Sequence, residues 1–177
     1  SQVQQILNKT TLLVGHNIKF DLVWLWESGF SYSGKVYDTM IGEYLLLRGQ
    51  KYSLSLHDAC IRREVTLKKS DLTKDYLTRG VGFDRMPCEI VEEYGKADVV
   101  STRELYEHQQ KLFKNSVMQK HLKLMNGFLF TLATIERNGI KIDLQALQDV
   151  KQAYRKEKLQ LERTMHEIMR DVMGDTP

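Results

Sequence analysis

The stretch VGHNIKFDLVWLW, residues 14–26, constrains the fold more than any other part of the chain. It reads as buried structure, with Val14, Phe20, Leu22, Val23, Trp24, Leu25 and Trp26 close together. Yet Asp21 stands among them, and Asn17 lies four positions before it. A carboxylate is among the side chains least often buried without a partner. If a helix starts near Ile18, Asp21 falls in its first turn. There it serves either as a favourable partner of the helix dipole or as half of a site.

The neighbouring segments give this stretch a context. Residues 2–8 read as a short helix, and TLLVG, residues 11–15, is an apolar run ending in Gly, as a buried strand would be. Residues 19–28 read as helix, ending before Gly29. KVYDT, residues 35–39, predicts a second strand feeding a helix over 39–48 with Met40, Ile41, Tyr44, Leu45 and Leu47 as its apolar set. Ser53 is the expected cap of a helix carrying Leu54, Leu56, Ala59 and Cys60. Residues 62–85 read as a surface segment with one helical stretch, and helices are predicted over 88–113, after Pro87, and over 117–137. The latter stops at Asn138-Gly139. Ile140-Lys141-Ile142 reads as extended, and Asp143 caps a last helix to about Met173. Leu147, Val150, Tyr154, Leu161, Met165, Ile168 and Val172 recur along it at steps of three and four, with Lys158 filling the missing position. A rod of roughly 45 Å, packed along that stripe as one arm of a helical hairpin, is the expectation.

A second acidic anomaly lies in EIVEEYGKADVVSTRELY, residues 89–106. Val91, Tyr94, Asp98, Ser101 and Leu105 share one helical face, which should be the buried one. Glu92, Glu93, Lys96, Arg103 and Glu104 lie on other faces. Tyr94 and Asp98 project side by side, as a structural hydrogen bond or as part of a site. Two carboxylates on separate elements, both on faces that should be apolar, call for a cation between them. Mg²⁺ and Mn²⁺ take carboxylate oxygens and bridge to phosphates. Two such ions about 4 Å apart stabilise the attacking and leaving oxygens of a phosphoryl displacement. A phenol beside them can orient the attacking water.

Bulk properties agree with a soluble domain, or one domain and part of another, in 177 residues. No apolar run approaches the roughly 20 residues that span a bilayer, so no membrane is expected. The net charge of +3 suits a polyanionic partner without requiring one. Cys60 and Cys88 are expected as reduced thiols, which excludes a disulfide scaffold, and no His or Cys spacing implies zinc.

Asn17-Ile18-Lys19-Phe20-Asp21 followed by Tyr94-Gly95-Lys96-Ala97-Asp98 resembles the second and third motifs of the DEDDy 3′–5′ exonucleases. Val36-Tyr37-Asp38-Thr39-Met40 is similar to the strand end between them. LFTLATIERNGIKIDLQAL, residues 129–147, resembles the onset of the polymerase region in bacterial and phage DNA polymerases of family A. The resemblance implies an α/β, RNase H-like exonuclease fold without its first strands over residues 1–115. It implies long, mostly helical thumb elements over residues 116–177. It further implies Asp21 and Asp98 as catalytic metal ligands for Mg²⁺ or Mn²⁺, and Tyr94 as the catalytic residue positioning water. Asn17 and Phe20 become candidate substrate-contacting residues, and His16 reads either as a third or as a packing or solvent-facing histidine. DNA is the implied partner, with a single-stranded 3′ end at the exonuclease and a duplex at the thumb, in the cytoplasm of a bacterial or phage-infected cell. A stand-alone ribonuclease D-like exonuclease and a degenerate exonuclease fold serving as a non-catalytic scaffold are the alternatives.

One departure stands out. The family's first motif, Asp-x-Glu on an early strand, belongs upstream of TLLVG, and residues 1–10 hold no Asp or Glu. Both ends read as cut, so the expectation is a fragment with little nuclease activity alone. Among the remaining residues, Asp38 reads as the N-cap of helix 39–48 or as a substrate-proximal carboxylate. Trp24 and Trp26 read as base-stacking residues or as core, at least one of them core. Arg62, Arg63, Lys68 and Lys69, like Lys151, Arg155, Lys156 and Lys158, read as a solvated surface or a track for a DNA backbone.

Overall fold

Gly15 and Asp38 end two short strands, and both ends are built for close approach. The first strand, β1 (Leu12–Gly15), pairs in parallel with β2 (Lys35–Asp38), with Leu13 opposite Val36 and Val14 opposite Tyr37. The connection between them is α2 (Ile18–Glu27), the helical crossover that parallel neighbours require. A Cβ on Gly15 would lie 2.9 Å from Ile18, so the turn from β1 into α2 leaves no room for a side chain.

The computed structural model describes residues 1–66 and 71–174. They form two units, Ser1–Asn138 and Gly139–Pro177. In the first, side chains alternate across the two strands, as strand geometry dictates. Leu13 and Val36 join a cluster with Leu7 of α1 (Gln2–Lys9), Ile18 and Leu22 of α2, and Leu129 of a long later helix. Leu12, Val14 and Tyr37 join the opposite cluster with Ile41 and Leu45 of α3 (Thr39–Leu46) and with Tyr106 and Phe113. The strands thus lie between helices on both faces, in keeping with the α/β expectation.

A third cluster holds α4 (Leu56–Arg63) through Leu56, Ala59 and Cys60 against Leu105 of α6 (Cys88–Leu112). Among the described residues between α4 and α6 lie α5 (Asp71–Thr78) and a 3-10 turn at Phe83–Arg85. Ser55, not Ser53, caps α4, accepting from the Asp58 N–H. Ser53 sits one step outside and accepts from the Ser55 N–H at 3.3 Å instead. After α6 comes α7 (Ser116–Asn138), which ends where Gly139 takes a φ of +66°.

The apolar stretch that opened the sequence divides by helical phase. Ile18 and Leu22 are buried and Leu25 and Trp26 half-buried, the one-sided stripe of an amphipathic helix. Phe20 and Trp24 are both 60% exposed and Asp21 is exposed beside them, so the expectation that this face of Asp21 is buried does not hold. Ten residues of helix cannot bury every side, and Asp21 falls on the open one.

The second unit holds α8 (Leu144–Met173), capped by Asp143, which accepts from the Gln145 and Ala146 N–H groups. Its expected packed stripe is corrected: Leu147, Val150, Tyr154, Leu161, Met165, Ile168 and Val172 are all exposed. Among the described residues this unit, taken by itself, contains a single helix, and no second element within it covers the stripe. No helix among the described residues is long and apolar enough to cross a membrane.

Candidate active site

Asp38 ties together the elements that carry the site. Its carboxylate is 1% exposed and accepts from three backbone N–H groups: Asn17 at 2.9 Å, Ile18 at 3.1 Å and Met40 at 2.8 Å. The Met40 bond makes Asp38 the N-cap of α3, as its place in the sequence suggests. The other two tie the end of β2 to the start of α2. The Asp38 N–H in turn donates to Asn126 Oδ1 of α7 at 2.9 Å. This clamp holds Asn17 in the left-handed region, at φ +60°, which Asn tolerates better than most residues. The Asn17 side chain makes no capping bond and lines the cleft.

That cleft, of about 1200 Å³, is lined by α2, by the turn before it, and by α6. Asp21 reaches it from the first turn of α2, and Asp98 from α6. Around Asp21, partial desolvation raises the carboxyl pKa above its ordinary value, and the negative Asp38 adds to the rise. Asp98 is half-buried, and its Oδ1 is a buried oxygen without a hydrogen-bond partner. His57 Nδ1 is the other such atom among the described residues, and His57 does not line the cleft. A carboxylate oxygen withdrawn from water and left without a donor is a poor arrangement for the protein alone.

His16 also lines the cleft, with both ring nitrogens engaged. Nδ1 contacts Thr39 Oγ1 at 2.9 Å, and Nε2 donates to the Leu54 carbonyl at 2.8 Å. It links the end of β1 to α3 and to the segment before α4. Tyr94 and Phe20 are not part of the cleft lining. Tyr94 packs on Phe83 with ring centroids 5.7 Å apart. Its phenol pKa is raised, first by desolvation and then by the charge of Asp98 and a hydrogen bond to it. The phenol therefore keeps its proton and donates. Phe20 stands on the exposed face of α2, edge-on to Trp24.

Asp21, Asp98, Asn17 and His16 thus share one cleft, with Tyr94 bonded behind Asp98 and Phe20 outside. The donor chemistry suits a hard divalent cation: two carboxylates, one with an unpartnered oxygen and one whose ionised form is disfavoured without a counter-charge. Two carboxylates are fewer than a two-ion site needs, and no group of three His, Cys, Asp or Glu side chains gathers for a metal among the described residues.

The sequence reading missed other residues. Arg103 lines the cleft from α6, although its place off the apolar stripe marked it as merely solvent-facing. Arg62 and Arg63 are not a free basic track. Both pair with Glu43, which is fully buried on α3, at 3.3 and 2.9 Å. A buried carboxylate needs such partners. Lys68 and Lys69 lie outside the described residues. Trp26 packs on Phe130 at 6.2 Å, so it is the core member of the tryptophan pair.

A family model described as 3′–5′ exonuclease, of the family A DNA polymerases, matches residues 1–114. The chain belongs to this family. Its members' fold accords with the mostly helical α/β structure, and the family is generally dependent on divalent metals. Among curated relatives, the DNA polymerase of Bacillus phage SP01 is 28% identical over 173 residues, covering 94% of this chain and 19% of its own length. DNA polymerase I of Borreliella burgdorferi is 26% identical over 137 residues, covering 77% of this chain and 15% of its own. DNA polymerase I of Aquifex aeolicus is 24% identical over 163 residues, covering 82% and 27%. The chain therefore spans about a quarter or less of the length of these relatives.

Proposed function

We propose that the chain is the 3′–5′ proofreading exonuclease part of a family A DNA polymerase, acting on the single-stranded 3′ end of DNA. Residues 1–115 form the exonuclease portion, and residues 116–177 open the polymerase region, with α8 as a thumb element against duplex DNA. The cytoplasm of a bacterial or phage-infected cell is the setting. The observation that carries this reading is the meeting of Asp21 and Asp98 along one cleft, Asp98 with an unpartnered buried oxygen.

Asp21 and Asp98 would hold Mg²⁺ or Mn²⁺, which when bound neutralises phosphate charge and lowers the pKa of coordinated water. Asp98 holds its carboxylate toward the cleft while Tyr94 donates to it from behind. To orient the water for attack on the terminal phosphodiester, the protonated Tyr94 phenol would turn from Asp98 toward the cleft when substrate is bound. The water oxygen bonds to phosphorus, the bond to the preceding 3′-oxygen breaks, and that oxygen takes up a proton. A nucleoside monophosphate leaves. Asn17 offers an amide to the terminal nucleotide, His16 fixes the cleft wall, and Phe20, outside the lining, braces Trp24 instead of touching the nucleotide.

The test is release of a 3′-terminal label from a single-stranded oligonucleotide in Mg²⁺. In the polymerase carrying this region, Tyr94→Phe should slow release about 100-fold, and Asp98→Ala should slow it further. The 177 residues alone, with only two of the acidic ligands, should release little label. Rapid release by this chain alone, or full activity after Asp98→Ala, contradicts the reading.

A further inference from the structure

We propose that Trp24 and Arg103 form a nucleotide cradle in the cleft, Trp24 stacking on a base of a single strand and Arg103 pairing with its phosphate. The proposal rests on reading the cleft as a nuclease site and names the residues that hold the strand there. Trp24 is one helical turn past Asp21 and lines the same cleft as Asp21 and Asp98. Its side chain is 60% exposed, an unusual state for an indole that core packing does not explain. Its ring meets Phe20 edge-on, with centroids 6.1 Å apart and planes at 60°. That edge contact leaves most of the indole surface open to another ring. Trp26, two residues on, is packed inward on Phe130. Helical phase thus assigns one tryptophan to the core and presents the other to the cleft.

Arg103 lines the cleft from α6, five residues past Asp98. Its partner is Glu107 at 3.4 Å, with the two side chains 70% and 55% exposed. An exposed pair of this kind holds weakly, so the guanidinium can exchange a carboxylate for a phosphate. Its planar fork matches two phosphate oxygens. The carboxylates along the cleft, Asp21, Asp98 and Glu107, make it repel a bare polyanion. Stacking is indifferent to charge and to base identity, so an indole can hold a strand where the local field is negative. Bases in a duplex have no free face to offer, which sets the preference for single strands.

The probe is a short oligothymidylate titrated into the 177-residue chain in EDTA, followed by tryptophan emission and by anisotropy of a labelled strand. Binding should quench Trp24, and the quenching should persist in Trp26→Phe, where Trp24 is the remaining indole. Trp24→Ala should weaken binding about ten-fold and leave the Trp26 emission unquenched, whereas Trp24→Phe should retain most of the affinity. Arg103→Gln should flatten the slope of log affinity against log salt by about 0.7. A wild-type chain that binds while Trp24→Ala binds equally well overturns the cradle and leaves the nuclease reading standing. So does an unquenched Trp26→Phe that still binds the strand. A wild-type chain that does not bind the oligonucleotide also overturns the cradle, whereas the nuclease reading stands or falls on label release in Mg²⁺ by the polymerase carrying this region.

Discussion

Asp38 and Asp21 are close in space and opposite in circumstance. Asp38 is buried and bonded to three N–H groups, so replacing it with Ala strands three donors. Chemical denaturation should show a loss of about 3 kcal/mol or more. Asp21 is open to the cleft, and its pKa is raised by desolvation and by Asp38. The folded state then binds its proton more tightly than the unfolded state. Stability contributed by this group is present at low pH and is lost as pH rises through the folded pKa. Asp21→Asn should therefore raise Tm at pH 7, with the gain vanishing below the ordinary carboxyl value of 3.8. A gain that grows on acidification would contradict the assignment. The capping role of Asp38 was legible in the sequence because Met40 is two residues away. Its bonds to Asn17 and Ile18 were not, because they span some twenty residues and depend on strand pairing. Asp21 and Asp98 drew notice as charges among apolar neighbours, and that signal led to one cleft, although Asp21 proved open rather than buried.

Helix phase explains most of what the elements do. In α2 the inward set of Ile18, Leu22, Leu25 and Trp26 left Phe20, Asp21 and Trp24 outside, a division obscured by the uniformly apolar stretch. The Ser53 and Ser55 pair shows the limit of reading caps, since either serine suits the motif and only the geometry chooses. Close packing of α3 on α6 was not legible at all. A Cβ on Gly42 would fall 2.2 Å from Gln109 Oε1. Gln109 cannot swing away freely, because its amide accepts from Tyr37 and donates to the Thr39 carbonyl and to Glu43. Gly42→Ala should therefore destabilise the fold by about 1–3 kcal/mol in thermal or urea melts. An unchanged midpoint would mean that α3 and α6 are not held at this distance. In α8 the periodicity correctly predicted the helix, whereas its stripe stays exposed because no other described element of its unit covers it.

At the scale of the molecule, two parallel strands between helices bring α2 and α6 to one cleft, and the family match over residues 1–114 fits that arrangement. The strand and helix order was readable from alternating short apolar runs and longer periodic ones. The pairing of β1 with β2, the Glu43 network and the cleft wall at Arg103 required coordinates, because each joins residues far apart in the chain. The central claim is that Asp21 and Asp98 hold a divalent cation together. Mn²⁺ added in small amounts to the isotopically labelled chain tests it most directly, because bound Mn²⁺ broadens nearby resonances even when binding is weak. The expected result is selective broadening around Asp21 and Asp98, displaced by Mg²⁺ and absent from an Asp21→Asn/Asp98→Asn variant. Broadening centred elsewhere, or the same pattern in that variant, would contradict it.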